Sequence, residues 1–164
     1  MDTALSQQEL EEMLDIAVRE VTEITTGVSL HKGGGPPGGD FCTVHVTFKK
    51  GVRSSLSLQA DRGMMKEMAQ NAFHNKFIKS ADLEDFAKEY FNVLCGRVAG
   101  QLYRLTRTSV RFGVPEFRWG YFEPENHSRQ FTLNYSDDQS RSVQLIHLIP
   151  RLGRNDGGAE TTSV

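Results

Sequence analysis

Two residues of this sequence have side chains and a spacing that could do chemistry together. Glu89 and Asn92 are three positions apart in the segment LEDFAKEYFNVLCGRVAGQLYRL, residues 83–105, so on a helix they would share one face. The carboxylate accepts charge-assisted hydrogen bonds, and the carboxamide has an acceptor and two donors. Gly96 and Gly100 follow at one-turn intervals, although glycine is a poor helix former. We therefore interpret this face as a surface shaped for contact with a partner.

The apolar residues of the segment 83–105 predict a single amphipathic helix that positions the pair. At about 100° per residue they fall in one sector, which is expected to pack on a sheet; its members are Leu83, Ala87, Tyr90, Phe91, Leu94, Val98, Leu102 and Leu105. Glu89 and Asn92 lie nearly opposite this sector, Gly96 and Ala99 continue their face, and Gly100 lies beside it. Two structural interpretations of this face stay open. The face could simply be solvated, because the solvent side of a helix is usually polar, or the glycines could allow helix–helix or dimer packing.

Composition and charge exclude several classes of function. The chain has 164 residues, of which 24% are charged, and a net charge of −2, so it lacks the basic footprint of a nucleic-acid-binding protein. No run approaches the roughly 18 apolar residues of a membrane span, and the acidic, polar residues 1–13 are unlike a signal peptide. Cys42 and Cys95 form no CxxC pattern and are interpreted as free thiols in a reducing cytosol. These features predict a cytoplasmic protein that binds neither nucleic acid nor a membrane.

Other sequence patterns that carry chemistry are absent or incomplete. The five histidines form no HExxH motif, and Cys42 and His45 would point to opposite faces of a strand. The glycine-rich loop at residues 32–40 lacks the GK[ST] of a P-loop and precedes a strand rather than a helix. No GxSxG sequence is present, and neither cysteine lies in a recognisable nucleophile motif. The sequence therefore predicts no metal site and no cofactor.

The periodicity along the chain predicts an α+β domain. A first helix is expected at 6–26, with Ser6 and Glu9 as a capping box and an apolar side made of Leu10, Met13, Leu14, Ala17, Val18, Val21 and Ile24. A loop at 32–40 is followed by a hairpin with strands 41–50 and 52–60 and Gly51 at the turn. A short helix at 62–77 would bury Met64, Met65, Met68, Ala72 and Phe73. The helix 83–105 is expected to be capped by Ser80 or Asp82. Strand formers follow at 108–122 and are interrupted by residues 113–115. A second hairpin is expected at 129–136 and 141–149, with its turn at 137–140.

A weak internal repeat is also present. A shift of 73 residues aligns the first helix with the helix 83–105, and each helix is later followed by a hairpin. Glu89 and Asn92 then correspond to Ile16 and Arg19, so only the second copy would carry the pair. Chance is the alternative, because helix–hairpin units are common in α+β domains. Residues 151–164 have little apolar content and are expected to be a disordered tail after a domain at 1–150.

The segment DFAKEYFNVLCGRVAG resembles the CheC/CheX/FliY phosphatase family of bacterial chemotaxis. The signature of that family is a helix with E-x-x-N and a glycine one turn later, which Glu89, Asn92 and Gly96 match. The early helix, the hairpin with its glycine turn, the methionine-rich short helix and FGVP at 112–115 extend the resemblance over residues 6–149. One copy of the motif is similar to CheX rather than to CheC, and the loop 32–40 and the tail are additions to the family pattern.

The resemblance implies a phosphatase that hydrolyses the aspartyl phosphate of a CheY-like response regulator in chemotaxis or two-component signalling. Asn92 would position the attacking water, and Glu89 would pair with a lysine of the regulator. No metal or cofactor would be bound by this chain, because the regulator holds the Mg²⁺ ion, and a homodimer is expected. The surface that binds the partner would comprise Asp85, Gly96, Ala99 and Gly100.

The expected fold is a two-layer α/β (α+β) domain, in which an antiparallel-rich sheet is covered by helices on one face. The alternative function is a non-enzymatic interaction module, similar to flagellar switch proteins, that binds a response regulator without turnover. A further alternative is a domain that retains the motif but acts on another receiver domain. The Asn92 carboxamide favours the enzyme, because binding alone has no need of it.

Overall fold

The computed structural model describes residues 5–50, 54–120 and 127–150 of the chain. Their elements are α1 (Gln7–Thr26), β1 (His31–Lys32), β2 (Phe41–Lys50), β3 (Ser55–Asp61), α2 (Arg62–Phe73), α3 (Ser80–Thr106), β4 (Arg111–Phe112), β5 (Glu116–Trp119), β6 (His127–Ser136) and β7 (Ser142–Pro150). The strands form one seven-stranded sheet in the order β1-β6-β7-β3-β2-β4, with β5 also paired to β2. Every pairing is antiparallel, which confirms the predicted fold class.

The core lies between one face of the sheet and the three helices. Alternate residues of the central strands join the apolar sides of the helices in a single cluster, as a half-covered antiparallel sheet requires. The strands contribute Cys42, Val44, Val46, Leu56, Leu58, Ala60, Tyr135, Val143 and Leu145. The residues between them, such as Thr43, His45 and Ser57, lie on the opposite face, where no described helix packs.

The start of α1 is as predicted, and Met13, Leu14, Ala17, Val18 and Val21 of its predicted apolar side are buried. The Ser6 hydroxyl accepts a hydrogen bond from the Glu9 backbone nitrogen at 3.1 Å, and the Glu9 carboxylate accepts one from the Ser6 backbone nitrogen at 2.9 Å, which confirms the capping box. Ile24, predicted to be buried, is 77% exposed. Thr22 and Thr26 are buried in this part of the helix, because their hydroxyl groups donate to carbonyl oxygens one turn earlier.

Both predicted hairpins are present. β2 and β3 pair from Phe41↔Asp61 to Thr47↔Ser55, and the turn expected at residue 51 lies outside the described residues. β6 and β7 are joined through a turn in which the Asp137 carboxylate accepts from the backbone nitrogens of residues 139 and 141, at 3.0 and 2.8 Å. Such a bond from an aspartate to the backbone that follows it is a recurrent way to stabilise a turn.

The short strand β1 was not predicted. His31 pairs with Ser136 and Lys32 with Tyr135, so the first residue of the expected loop 32–40 is a strand residue. The strand formers predicted at 108–122 give β4 and β5, which are separated by residues 113–115 as expected and both pair with β2. Residues 121–122 and the tail 151–164 lie outside the described part of the chain.

The boundaries of α2 and α3 differ from those predicted. α2 ends at Phe73 rather than at residue 77, because His74 takes a left-handed conformation (φ 55°) that ends the helix. Phe73 was predicted to be buried and is 48% exposed. α3 begins at Ser80, and its N-cap is Lys79 rather than Ser80 or Asp82. Asp82 still assists this end of the helix, since its carboxylate accepts from the Lys79 backbone nitrogen at 3.2 Å.

The buried stripe of α3 is close to the one predicted. Seven of the eight residues are buried, and Phe86 and Cys95 join them. Leu105 is 52% exposed, so its assignment to the core is wrong. The reason is that α3 continues past the core, in which Leu102 is the last residue of the helix to take part.

The sheet has an approximate two-fold symmetry that agrees with the repeat. α1–β1–β2–β3 and α3–β4–β5–β6–β7 form the two halves, with β3 and β7 paired at the centre. Each half contributes its short strands to the other, because β1 pairs with β6 and both β4 and β5 pair with β2. On α1, the residues that correspond to the pair are Ile16, which is 53% exposed, and Arg19, which bonds Asp15 at 3.4 Å.

Candidate functional site

The face of α3 that carries the pair is exposed along its length. Glu89, Asn92, Gly96 and Gly100 are all exposed, as the helical wheel predicted. Asp85, one turn before Glu89, is exposed as well, and Ala99 is half-buried. Every residue that the sequence assigned to catalysis or partner binding is therefore on one helix. We call the face defined by these six residues the α3 face.

Helical geometry brings these residues into one narrow strip. Glu89 and Asn92 are separated by about 4.5 Å along the helix axis, and Gly100 lies about 16 Å beyond Glu89 at nearly the same angle. Gly96 falls between the two functional side chains in angle, at about 340° from Glu89. The two polar side chains thus lie towards one end of the α3 face, and the other end of this face has almost no side-chain bulk.

The two glycines are not required by packing within the described structure. A methyl group built on Gly96 or on Gly100 would meet no described atom within 4 Å. This excludes helix–helix packing against the described elements as the reason for either glycine. The open space at both glycines is compatible with the close approach of another molecule, which includes a second copy of the chain.

Glu89 and Asn92 are free to bind a partner. Neither side chain makes a hydrogen bond or an ion pair with any described residue. Two basic residues of the same helix are already matched, since Lys88 bonds Glu84 at 3.0 Å and Arg97 bonds Glu20 on α1. The carboxylate and the carboxamide therefore have all their hydrogen-bonding capacity available.

The backbone beneath the pair is held rigidly by buried side chains. Tyr90, next to Glu89, is 2% exposed, and its hydroxyl lies 2.5 Å from the Thr22 hydroxyl of α1. Burial raises the pKa of Tyr90 to about 12, against the smaller, opposite effect of the Thr22 hydrogen bond. The Phe86 ring stacks on the Tyr90 ring at 5.9 Å between centroids. α3 is thereby fixed to α1, so the exposed pair has a defined position.

Sequence reasoning missed one apolar residue on the flank of the site. Val93 is 46% exposed and lies one turn after Glu89, about 40° from it on the wheel. The signal was available, because an exposed valine between Glu89 and Arg97 is unusual on a solvated face. Apolar surface beside the polar pair is what a protein partner would cover.

Other chemistry is limited within the described residues. No three His, Cys, Asp or Glu side chains among them come together as a metal site, and no helix they form is long and apolar enough to cross a membrane. Cys42 and Cys95 are free, as predicted, and both are buried. Burial raises the pKa of each thiol to about 12, so neither is a reactive thiolate at neutral pH.

Comparison with known structures relates this fold to chemotaxis proteins. No model of a protein family matches the sequence, and no curated protein matches it. The chemotaxis protein CheX from Vibrio vulnificus superposes with a TM-score of 0.75 at 14% identity, over 88% of this chain and 99% of that chain. The CheX–CheY–BeF3–Mg²⁺ complex from Borrelia burgdorferi matches with a TM-score of 0.71 at 14% identity, over 87% and 98%.

The likeness extends to FliY from Thermotoga maritima, with a TM-score of 0.60 at 11% identity, over 90% of this chain and 92% of that chain. At such identities the matches establish the fold. The chain has the fold of the CheX, CheC-like and FliY structures, as the resemblance in its sequence led us to expect.

Proposed function

We propose that this chain belongs to the CheC/CheX/FliY family and hydrolyses the aspartyl phosphate of a CheY-like response regulator in the cytoplasm. The observation that carries the proposal is the α3 face: an exposed Glu–Asn pair without internal partners, beside two glycines that packing does not require. The CheX–CheY complex among the matching structures supports a CheY-type partner.

Asn92 is proposed to position the attacking water. Hydrolysis of an acyl phosphate needs a water in line with the breaking P–O bond and little covalent help. The carboxamide can accept a hydrogen bond from that water and donate one to a phosphoryl oxygen. The water adds to phosphorus, the aspartate leaves as a carboxylate, and inorganic phosphate is released with a proton. The regulator's own Mg²⁺ ion and lysine stabilise the phosphoryl charge, so this chain need not bind a metal.

Glu89 and Asp85 are proposed to dock the regulator. Glu89 would form a charge-assisted bond to the regulator's lysine, and Asp85 would extend the acidic surface by one turn. Gly96, Ala99 and Gly100 would let the two backbones approach closely. Contact along this strip would place Asn92 at the phosphoryl group, which is a proximity effect.

The decisive experiment measures phosphate release. A panel of CheY-type receiver domains, phosphorylated with acetyl phosphate and Mg²⁺, is incubated with the chain or with Asn92→Ala. The unmodified chain should accelerate dephosphorylation of at least one receiver, and Asn92→Ala should reduce kcat by about 10²-fold. Glu84→Gln, which changes another polar residue of α3, is the control. No acceleration of any receiver, or full activity of Asn92→Ala, contradicts the proposal.

Docking by Glu89 is tested by charge reversal. Glu89→Lys should raise KM for the phosphorylated receiver and weaken its binding, because a lysine would face a lysine. Glu23→Lys changes the net charge equally on the exposed side of α1 and should leave both unchanged. Equal KM values for Glu89→Lys and Glu23→Lys would remove the docking role.

A homodimer is the proposed assembly. β1 pairs with only two residues of β6, Ser136 and Tyr135, and among the described residues no other strand lies on that edge. The rest of β6 therefore forms an open edge of the sheet, and such an edge can pair with a strand of another chain. Sedimentation velocity measures the mass directly, and a monomer at micromolar concentration would contradict the dimer.

Binding without turnover is the second candidate function, because the exposed Val93 beside the Glu–Asn pair would suit a protein partner whether or not its phosphate is hydrolysed. It predicts a complex with the phosphorylated receiver but the same rate of phosphate loss with and without the chain. The phosphate-release assay therefore separates the two functions.

A further inference from the structure

The C-terminal end of α3 carries an exposed group of basic and aromatic side chains. Tyr103 is 48% exposed, and the guanidinium of Arg107 lies over its ring, 5.6 Å from the centroid. Arg104, exposed beside them, donates from Nη1 to Gln101 Oε1 at 3.0 Å. We call Tyr103, Arg104 and Arg107 the basic cluster.

The basic cluster continues the α3 face. Measured from Glu89 at about 100° per residue, Tyr103 lies near 320°, Arg104 near 60° and Arg107 near 0°. Along the axis, the cluster begins about 16 Å beyond Asn92 and ends about 22 Å beyond it. A partner of ordinary domain size that contacts Asn92, Gly96 and Gly100 would therefore reach these side chains.

Charge is segregated along α3 in a way that suits an oriented partner. The carboxylates of the helix are all in its first ten residues, at Asp82, Glu84, Asp85 and Glu89. Arginines occupy the second half, and Arg97 among them is already bonded to Glu20. Arg104 and Arg107 form no ion pair with any carboxylate of the described residues. Two unmatched cations thus stand at one end of the face.

The backbone at Arg107 adds an independent observation. Arg107 is the C-cap of α3 and has a φ of 61°, with its backbone nitrogen bonded to the Tyr103 carbonyl oxygen at 2.8 Å. Glycine is the residue that adopts this left-handed conformation without strain. An arginine here is locally unfavourable, which points to a use for its side chain. The competing reason for an arginine is that cations near a helix C-terminus stabilise the helix dipole.

We infer that the basic cluster is a second docking site for the receiver domain, and that it binds an acidic patch on the receiver about 16–22 Å from the phosphoryl group. The inference rests on the proposed function. Two contacts of opposite charge, at the two ends of one rigid helix, fix the direction in which the receiver lies along α3. A receiver with no carboxylates at that distance would be a poor substrate, so the cluster selects among receivers.

Charge reversal tests the docking role. Arg104→Glu and Arg107→Glu should each raise KM for the phosphorylated receiver by about 5- to 10-fold with kcat unchanged, and should make KM less sensitive to salt. Lys66→Glu, an equal change of charge at an exposed residue of α2, is the control. A KM equal to that of the control would overturn the inference.

Arg107→Gly separates docking from a structural role. Glycine fits the left-handed C-cap, so this variant should unfold at the same temperature as the unmodified chain or at a higher one, while KM still rises. If Arg107 serves the helix instead, the variant keeps its KM, and the inference fails.

Failure of the proposed function would look different from failure of this inference. Without phosphatase activity, the unmodified chain would not accelerate phosphate release at any receiver concentration. The cluster is then tested by binding to a receiver treated with beryllium fluoride and Mg²⁺. In that measurement Arg104→Glu must weaken the affinity and Lys66→Glu must not, otherwise the inference is wrong.

Discussion

Asn92 is distinguished by what an uncharged amide can do to a water molecule. Asn92→Asp keeps the size and shape of the side chain but places a negative charge where the phosphoryl group is proposed to bind and removes both donors. We expect an unchanged unfolding temperature and a kcat lowered by about 10²-fold. Circular dichroism and phosphate release measure the two effects. An active Asn92→Asp would show that the donors are not needed.

Tyr90 supports the pair from below, and its hydroxyl can be removed without leaving a large cavity. Tyr90→Phe breaks the 2.5 Å contact with Thr22 and should lower the free energy of unfolding by about 1 kcal/mol. The Thr22 hydroxyl keeps its bond to the Val18 carbonyl oxygen, so no buried polar group is left without a partner. Chemical denaturation measures the change, and a loss well above about 2 kcal/mol would indicate a larger role for the hydroxyl.

At the scale of single residues, the sequence predicted the exposed pair but not its surroundings. Periodicity alone assigns Glu89 and Asn92 to the wet face, because seven apolar residues of the opposite stripe agree. The same periodicity was wrong for Ile24 and Leu105, since a wheel does not show where the core ends. The bond between Arg97 and Glu20 depends on how α1 packs beside α3, which no local pattern contains.

Gly96 and Gly100 are expected to make α3 less stable while leaving space for the partner to approach. Gly96→Ala and Gly100→Ala should each raise the free energy of unfolding by about 1 kcal/mol, because alanine is the better helix former and its methyl group meets nothing in the described structure. Both should raise KM for the phosphorylated receiver. Thermal unfolding and phosphate release measure the two quantities. If the variants become more stable with an unchanged KM, the glycines are not there for the partner.

At the scale of elements, strongly patterned segments were predicted well. β2 was predicted with its observed bounds, and the capping box of α1 was recognised from Ser6 and Glu9. The end of α2 was missed because a histidine in a left-handed conformation is not a sequence signal. β1 was missed because two residues carry no periodicity, and its pairing with β6 depends on a strand about one hundred positions away.

At the scale of the whole molecule, His45 makes stability depend on pH. Burial lowers the pKa of this imidazole, with Arg118 acting in the same direction and Glu116 opposing it. The unfolded chain therefore binds a proton more readily than the folded chain. The stabilising contribution of His45 is complete above its ordinary pKa of 6.5 and is lost as the pH falls through that value towards the folded pKa.

The prediction for His45 can be measured by denaturation at several pH values. The free energy of unfolding should fall between about pH 7.5 and about pH 5.5, and His45→Gln should reduce the slope. His74→Asn, at an exposed residue whose backbone tolerates asparagine, is the control for loss of an imidazole at the surface. Equal slopes for the two variants would exclude His45 as the cause.

The alignment of the two long helices, each followed by a hairpin, pointed to a weak repeat in the sequence, and the two-fold arrangement of the sheet agrees with it. The exchange of short strands between the halves could not be predicted from sequence, because it is a matter of long-range pairing. The order of the strands in the sheet could not be predicted from any local sequence pattern either.

Because the halves exchange strands, we expect each half to depend on the other for folding. The chain crosses from one half to the other through residues 74–79, where Phe77 is 85% exposed. A break between residues 76 and 77 should therefore yield two fragments that are unstructured alone and reassemble when mixed, because each lacks strands that the other supplies. Fluorescence from Trp119, on β5 against Arg62 of α2, would report the reassembly, since that contact joins the two fragments. A split form of this kind would make the proposed phosphatase activity a reporter, because the activity would appear only where both fragments are present.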